Sequence, residues 1–566
     1  MRNVLRATAA LIPVLALGVP VALVQNVAAN PAVVLTPDTF LDVATPDCLP
    51  AHVAGSCSLR GAVLMANGSP ATTVQLGAGT YMLTKPQGST ADDGEGGDLE
   101  ILTAMTIKGA GAGQTKIQGG PNLGDRVIEA DSDRSAVVAT ISDLTVTGGV
   151  SSNTNTNELA GGGIFNDGST LTLTNVIVDS NRTGTGDVGN VGGGVASIRG
   201  TISISNTTFT NNTADNNGGG LYNLGTVASG ATFSHLYFTG NTANGEERLD
   251  SGGGAIYNAM NSGTTATFTD IMAIANHAPN MSGGAVYEES SPFMTTITYN
   301  RMTLSGNTAL VQGGGFYAGT TNTTISDSTI TGNTQHASVE HPGVADGGGV
   351  AVGDTGTVHL NNDTIANNKA DGSGGGLYDA FPDVITIHNT LVVNNDGGGG
   401  TVANCRYLNP SGPNNGVLTS QGHNIANDTS CNLTASGDRQ GSGFDPNLGV
   451  LVDNGGPSDG APGDTNQTLT RALPTGSIAI NTADNTNCPA VDERGITRPQ
   501  QATCDVGAYE YVAPVASPTP ALPKAGSSPP APSVPRPFAL PFAVLALAGA
   551  PLLWRTLRAA PRRQGK

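Results

Sequence analysis

One short pattern recurs through the middle of the chain: a run of glycines, then apolar or aromatic residues, then a polar residue. The clearest copies are GGGIFN at 161–166, GGGLYN at 218–223, GGGAIYN at 252–258, SGGAVY at 282–287 and GGGLYD at 374–379. Looser copies begin at Gly192, Gly313 and Gly347. Successive copies begin between 26 residues (192 to 218) and 34 residues (218 to 252) apart. Such spacing is typical of repeat proteins.

Each period also contains short alternating runs and a turn motif. The runs are LTLT at 171–174, TISIS at 201–205, TTIS at 323–326 and VITI at 384–387; the turns are NNTA at 211–214, GNTA at 240–243 and 306–309, and GNT at 332–334. One period has too little apolar surface to fold alone, but stacked periods pair each strand with its copies and bury one continuous column. The sequence therefore predicts an all-β fold, a right-handed single-stranded parallel β-helix.

The glycines and asparagines have structural roles in this interpretation. Each glycine run marks a corner that needs positive φ or close backbone approach. The Asn of each Asn-Thr turn is expected to tolerate the left-handed region, and its amide is expected to bond the equivalent Asn of the next coil.

Composition excludes some functions. The 566 residues include 79 glycines without a Gly-X-Y period, and the formal net charge is −19. Nucleic acid is excluded as a partner, because its phosphates need a basic surface.

The N-terminus and the cysteines predict export. Residues 1–29 combine Arg2 and Arg6, an apolar stretch and a small-residue cleavage site, as in a secretory signal peptide; a retained anchor is the alternative. Six cysteines favour disulfides in an exported chain, and local pairing is the simplest arrangement. The predicted pairs are Cys48 with Cys57, Cys405 with Cys431 and Cys488 with Cys504. We expect no metal site, because neither a Cys-x-x-Cys nor clustered His accompanies them.

Two regions resemble known families. Residues 48–130 resemble the CSLREA region of exported bacterial β-helix proteins: CSLRGAV at 57–63 matches its heptad, with Gly61 in place of Glu, and GDLEI at 97–101 also matches. The glycine motifs, with FxxN at 209–212 and 238–241, are similar to the repeats of chlamydial polymorphic outer-membrane proteins. These resemblances imply a pectin-lyase-like solenoid, with the CSLREA-type region and first coils over 30–150 and the repeats over 151–400.

The block 401–511 resembles the choice-of-anchor Q domain, which follows β-helices in surface proteins. Its motifs are GHNI at 422–425, FDPNLG at 444–449, DERG at 492–495 and CDVGAYE at 504–510. The resemblance implies that an anchor follows.

The C-terminus predicts that anchor. A Pro-rich linker at 512–537 precedes an apolar segment at 538–554 and a basic, cytoplasmic tail at 555–566. The linker contains Leu522, Pro523, Lys524, Ala525 and Gly526, which resemble a sortase signal with Ala525 in place of Thr. Attachment to the cell wall and retention as a single-pass membrane anchor remain alternatives.

No catalytic constellation is evident. A pectate-lyase-type site needs clustered carboxylates for Ca²⁺ and a basic residue, and a hydrolase needs carboxylates on one groove. Basic residues are few between 161 and 400, and none lies in a lyase-like motif. His423 is interpreted as structural, and the acidic run 92–98 as an exposed turn and not a Ca²⁺ loop. We expect no catalytic residue, metal or cofactor.

An aromatic row is the one candidate binding feature. Tyr222, Tyr257, Tyr287, Tyr317 and Tyr378, together with Phe165, occupy nearly equivalent positions after the glycine runs. Facing outward, the row would be a platform for sugar rings or a protein partner; facing inward, it would fill the core, which we expect.

The sequence thus predicts an exported, cell-surface β-helix held at its C-terminus by membrane or wall. The role expected from resemblance is a non-catalytic adhesin that binds a glycan or a surface protein of a host or neighbouring cell. The alternatives are a polysaccharide lyase or hydrolase of the same fold and a purely structural surface-layer component.

Overall fold

The computed structural model describes residues 33–514 except 87–93, 132–136, 152–158, 185–188, 226–230, 247–250, 260–264, 290–294, 338–345, 354–355, 380–383, 399–402 and 408–416. The predicted signal peptide, the apolar segment, the basic tail, the LPKAG motif and nearly all of the linker lie outside these residues. Within the described part of the chain, no helix has both the length and the apolar character of a membrane span.

The chain folds as an all-β, right-handed parallel β-helix, so the predicted fold class is confirmed. Each strand is hydrogen-bonded to its copies in the preceding and following coils, as where Thr172 lies opposite Thr140 on one side and Ser203 on the other. The strands form three parallel sheets, here called the long sheet, the tyrosine sheet and the short sheet.

The long sheet contains Val34–Leu35, Thr72–Gln75, Gly79–Leu83, Met105–Lys108, Thr115–Gly119, Val138–Thr147, Thr170–Asp179, Thr201–Thr210, Ala231–Thr239, Thr265–Ile274, Thr295–Ser305, Thr321–Ser326, Thr329–Thr331, Thr357–Asn361, Thr364–Ala366, Val384–His388, Leu391–Val393, Val417–Ser420, Ile425–Ala426 and Arg439–Gln440. The tyrosine sheet contains Leu99–Ile101, Ile128–Asp131, Ile164–Asp167, Val195–Ile198, Leu221–Leu224, Ile256–Asn258, Val286–Glu288, Phe316–Ala318, Val350–Val352, Leu377–Asp379 and Cys405–Tyr407. The short sheet contains Val150–Ser151, Arg182–Thr183, Thr213–Ala214, Thr242–Ala243, His277–Ala278, Thr308–Ala309, Thr334–Gln335, Lys369–Ala370 and Asp396–Gly397.

The core follows from the alternation that the sequence shows. In Thr170–Asp179, Leu171 and Leu173 are fully buried while Thr172 and Thr174 lie on the outer side. Because every coil repeats this pattern, the inward residues form one column that runs through the coils. Aromatic rings stack within it, with the ring centroids of Phe233 and Phe268 only 4.3 Å apart.

The corners use the conformations that the glycine runs predict. Gly283 has φ of +64°, which L side chains rarely adopt, and a Cβ on Gly284 would overlap the carbonyl oxygen of Gly314 in the next coil. The longer strands of the long sheet bend in the middle, where one residue of each strand has a left-handed backbone conformation. His235, Asp270 and Arg301 are three of these residues. Each such strand therefore has a first and a second half that face different directions.

The asparagine ladder is present, with one correction. The side chain of Asn241 donates to Asn276 Oδ1 at 2.9 Å, and that of Asn276 donates to Asn307 Oδ1 at 3.0 Å. The left-handed residue, however, is the one before the ladder position: Gly240 has φ of +64° and Ala275 has +53°. The ladder asparagine points inward because its neighbour makes the turn.

The N-terminal end is closed by the helix Leu59–Asn67, whose N-cap Ser58 accepts from the backbone N–H of Gly61. Arg60 is buried, pairs with Asp42 at 2.7 Å and donates to the carbonyl oxygens of Gly94, Gly97 and Asp98. A Cβ on Gly61 would overlap the carbonyl oxygen of Thr45, which explains why this chain carries glycine there.

The C-terminal part lies against the solenoid. Strands Val417–Ser420 and Ile425–Ala426 still belong to the long sheet, and an antiparallel hairpin of Leu451–Ser458 and Gln467–Arg471 follows. Residues 441–513, here called the C-terminal segment, then cover the outer side of the second strand halves: Thr303 donates to Glu493 at 2.8 Å, and Ala508 donates to Thr364 Oγ1 at 3.0 Å. The predicted domain boundaries stay predictions.

All six cysteines are in disulfides, in the three local pairs Cys48–Cys57, Cys405–Cys431 and Cys488–Cys504.

Candidate binding surface

The outer sides of the strands differ in what covers them. The second halves of the long-sheet strands lie under the C-terminal segment, and the outer side of the tyrosine sheet carries the aromatic row. The first halves of the long-sheet strands present a regular polar surface, here called the threonine face. Its members are the polar outward side chains of eight consecutive coils, while the apolar Val138 is exposed beside Thr170 at its edge. The members are Thr140, Ser142, Thr170, Thr172, Thr174, Thr201, Ser203, Ser205, Ser234, Thr265, Thr267, Thr269, Thr296, Thr298, Asn300, Asn322, Thr324, Ser326, Thr357, His359 and Asn361.

Every member of the threonine face is exposed or partly exposed. The strand register places the members in columns, for example Thr140, Thr172 and Ser203, then Thr267, Thr298 and Thr324. Neighbouring rows are about 4.8 Å apart and neighbouring columns about 6.6 Å apart, from strand geometry. Adjacent members interact laterally, as where Thr174 Oγ1 lies 3.2 Å from Ser205 Oγ. The face is therefore an ordered lattice of hydroxyl groups.

The threonine face differs from the rest of the chain in charge. None of its members is Asp, Glu, Lys or Arg, although the chain has 44 acidic and 25 basic residues. Each hydroxyl is uncharged and has one donor and two acceptor sites, so each can either donate a hydrogen bond to a ligand or accept one from it. His359 is the one member with a titratable side chain of the kind that general acid–base catalysis uses, and it has no carboxylate beside it within the face.

A charged cluster borders the face at the strand bend. Arg301 donates two hydrogen bonds to Asp270, at 2.6 and 2.7 Å, so that the carboxylate is neutralised and buried. His235 is partly exposed, with Nε2 3.6 Å from Asp270 and Nδ1 3.7 Å from Asp459. Asp459 raises the pKa of His235, and burial raises the pKa of Asp459 to about 6. This cluster joins the solenoid to the C-terminal segment, which also donates from Gly460 to the His235 carbonyl oxygen at 3.0 Å.

The aromatic row differs from both alternatives, because it lies on the outer side of its sheet and is nevertheless largely buried. The strand register makes Tyr222, Tyr257, Tyr287 and Tyr317 direct neighbours, with ring centroids 4.8 to 5.1 Å apart; Ala351 interrupts the row before Tyr378. The row lies on the outer side of its sheet, because Ile256 and Val286 beside it point into the core.

The same row is nevertheless covered. Tyr257 and Tyr287 are only 2% and 1% exposed, and Tyr378 is fully buried. Glu289 accepts a hydrogen bond from Tyr257, and a Cβ on Gly353 would overlap the hydroxyl of Tyr317. Burial raises the pKa of Tyr257 and Tyr222 well above the usual tyrosine value. The tyrosines are thus neither core-facing, as expected from sequence, nor an open platform.

A cluster of three acidic side chains in the described part of the chain is buried. Among the described residues, the one group of three His, Cys, Asp or Glu side chains with ligand atoms within 4.8 Å of one another is Asp98, Glu100 and Glu129. All three are buried, and Arg126 pairs with Glu129 and lies 3.7 Å from Asp98. The expectation of an exposed acidic turn is therefore wrong for Asp98, because the Arg126 guanidinium compensates its charge inside the fold.

His423 has a structural position, as the sequence interpretation assigned it. It adopts a left-handed backbone conformation, and its Nδ1 lies 2.7 Å from the carbonyl oxygen of Thr482. It thereby fastens the last coils to the C-terminal segment.

Sequence reasoning missed the threonine face, although its signal was present. Runs such as LTLT at 171–174 predict strands through their buried positions, the leucines. The alternate positions, Thr or Ser in coil after coil without a charge, predict an unusual outer surface once the register is known.

Comparison with known proteins supports the repeat assignment. A family model described as the Chlamydia polymorphic membrane protein (Chlamydia_PMP) repeat matches residues 206–224 and 235–259. Those residues lie in consecutive coils and include Tyr222 and Tyr257 of the aromatic row, but no member of the threonine face. No curated protein matches the chain at a significant level.

Solved structures with a similar fold include pectate lyase Pel9A, with 13% identity and a TM-score of 0.40 over 85% of this chain and 96% of that chain. The catalytic domain of a GH87 α-1,3-glucanase in complex with nigerose has 13% identity and a TM-score of 0.33, covering 66% and 68%. The Azotobacter vinelandii mannuronan C-5 epimerase AlgE6 A-module has 16% identity and a TM-score of 0.33, covering 71% and 95%. The likeness concerns the fold alone. The CSLREA and choice-of-anchor Q resemblances stay predictions.

Proposed function

We propose that this protein is an exported, surface-anchored β-helix whose role is non-catalytic adhesion through the threonine face. The observation that carries the proposal is an open, uncharged hydroxyl lattice on a solenoid with polymorphic-membrane-protein repeats. The anchor in this proposal is the C-terminal region 512–566, by wall attachment or by a retained membrane segment.

The geometry favours binding over turnover. A hydrolase needs carboxylates that reach a bound sugar, and a lyase needs a base beside the substrate. At the edge of the threonine face, Asp270 is buried and accepts hydrogen bonds from Arg301 Nε and Nη2, and Asp459 is buried beneath His235. These groups stabilise the docking of the C-terminal segment and are not presented to a ligand.

Attachment and turnover can be measured on the same protein. Cells that produce the whole chain should attach to one another or to a target cell layer more than cells without it. Purified whole chain should release no product from a panel of neutral and acidic polysaccharides. Product release at a rate that follows enzyme concentration would refute the proposal and favour the lyase or hydrolase alternative. Unchanged attachment, with weakened envelope integrity when the chain is absent, would favour a structural surface-layer role.

A further inference from the structure

The threonine face also indicates which partner it binds. We propose, on the basis of the adhesive function above, that the partner is the threonine face of a second copy of this chain, so that adhesion is homotypic. The interface would be face to face, with two sheets about 10 Å apart.

Self-complementary chemistry is the first argument. An interface between identical copies related by a two-fold axis uses the same patch on both sides, so the patch must complement itself. A patch with charges of one sign fails this requirement because like charges meet. Hydroxyl groups satisfy it, since Thr172 of one copy can donate to, or accept from, a threonine of the other.

The charge of the chain is the second argument. Two copies with a formal net charge of −19 each repel at long range. The threonine face is the side from which Asp, Glu, Lys and Arg are absent, so it is where two copies can approach with the least like-charge contact. At the strand bend the charges of Arg301 and Asp270 compensate each other, and the exposed Lys108, opposite Ser142 in the preceding coil, lies at the N-terminal edge of the face.

Periodicity is the third argument. A second copy has the same coil spacing, so if one row is in register every row is in register along the face. A ligand with another repeat would lose register after a few rows.

The available area sets the expected strength. Eight rows about 4.8 Å apart and five residues of about 3.3 Å each give about 630 Å² per copy. Two copies would bury about 1,260 Å², which lies at the lower limit of specific, stable interfaces. One pair would therefore dissociate readily, but many copies on two facing surfaces would bind strongly by avidity. Homotypic contact is thus suited to adhesion between cells and not to a stable dimer in solution.

Bead aggregation tests the proposal with the whole chain coupled through its C-terminus. Wild-type beads should aggregate, and Thr172→Glu/Thr324→Glu beads should aggregate at least tenfold more slowly, because like charges then face each other. Thr172→Lys/Thr324→Lys beads should fail in the same way. A mixture of the Glu and Lys beads should recover aggregation, which only contact between two copies of the face explains. The matched control, Thr242→Glu/Thr334→Glu, places the same charges on partly exposed threonines of the short sheet and should behave as wild type. Circular dichroism verifies that each variant is folded.

Several results would overturn the homotypic proposal. Wild-type beads that stay dispersed, or Glu beads that aggregate as wild type, would do so. So would a mixture that aggregates no better than its separate components. Beads that bind a neutral polysaccharide film through the face, yet never bind each other, would refute the homotypic partner and leave the adhesive function standing. Beads that bind neither each other, nor such a film, nor target cells would refute both.

Discussion

The asparagine ladder should make a large contribution to stability, which the substitution Asn276→Ala measures. Asn276 is fully buried, and its side chain donates to Asn307 Oδ1 at 3.0 Å and to the Phe238 carbonyl oxygen at 3.1 Å. Its Oδ1 accepts from the backbone N–H of Asn241 at 3.0 Å and from the Asn241 side chain at 2.9 Å.

Alanine removes these four hydrogen bonds and a fifth, from the Asn276 amide to the Ile274 carbonyl oxygen at 3.2 Å, and replaces none of them. Two donors of Asn241 and the Phe238 carbonyl oxygen then lose a partner in a region closed to water. A buried polar group without a partner costs about 1–3 kcal/mol. The two Asn241 donors account for most of this cost, so the free energy of unfolding should fall by roughly 3–5 kcal/mol.

Urea unfolding of the whole chain measures this loss, and hydrogen exchange in strands Ala231–Thr239 and Thr265–Ile274 locates it. The matched control is Asn244→Ala at an exposed position, which should change stability by less than about 0.5 kcal/mol. If Asn276→Ala costs no more than Asn244→Ala, the ladder is not a determinant of stability and the reasoning is wrong.

Three further substitutions test other parts of the structure. Burial raises the pKa of Glu288 to about 7, so the protonated carboxyl contributes its full stability below about pH 4.5, and this contribution is lost as the pH rises through 7. The urea midpoint of the wild-type chain should therefore fall between these two pH values. In the Glu288→Gln variant this fall should be smaller. Gly61→Ala should lower the melting temperature despite the better helix propensity of alanine, because its Cβ overlaps backbone, whereas Gly113→Ala, in open space, should not. Arg498 lies 3.3 Å from the buried carboxylate of Asp327, and burial raises the pKa of that carboxyl to about 7. The Arg498→Met variant leaves the carboxylate without this partner. Limited proteolysis should then cut the C-terminal segment at least tenfold faster than in the wild-type chain.

Local pattern predicted the parts of the fold that local geometry determines. The glycine runs predicted left-handed corners and close coil contact, and Gly283 and Gly284 have those two roles. The Asn-Thr turns predicted a ladder, and the bond between Asn276 and Asn307 belongs to it. Both follow because each coil repeats the conformation of its neighbours.

Contacts between distant residues could not be predicted in the same way. The hydrogen bond between Thr208 and Asp464 joins residues 256 positions apart, and no pattern in either stretch indicates it. The burial of Asp98 depends on Arg126, and the cover of Tyr257 depends on Glu289 from a different coil. The threonine face was visible as alternating Thr and Ser, but its openness depends on where the C-terminal segment docks.

We propose that the threonine face is presented at the cell surface, whereas the aromatic row is covered, and thiol labelling compares the two surfaces. All six native cysteines are in disulfides, so a single introduced cysteine is the one free thiol. On intact cells, a membrane-impermeant maleimide should label Thr267→Cys rapidly and Tyr287→Cys at least tenfold more slowly. Equal labelling of the two positions, or labelling of Thr267→Cys only after cell lysis, would contradict the account.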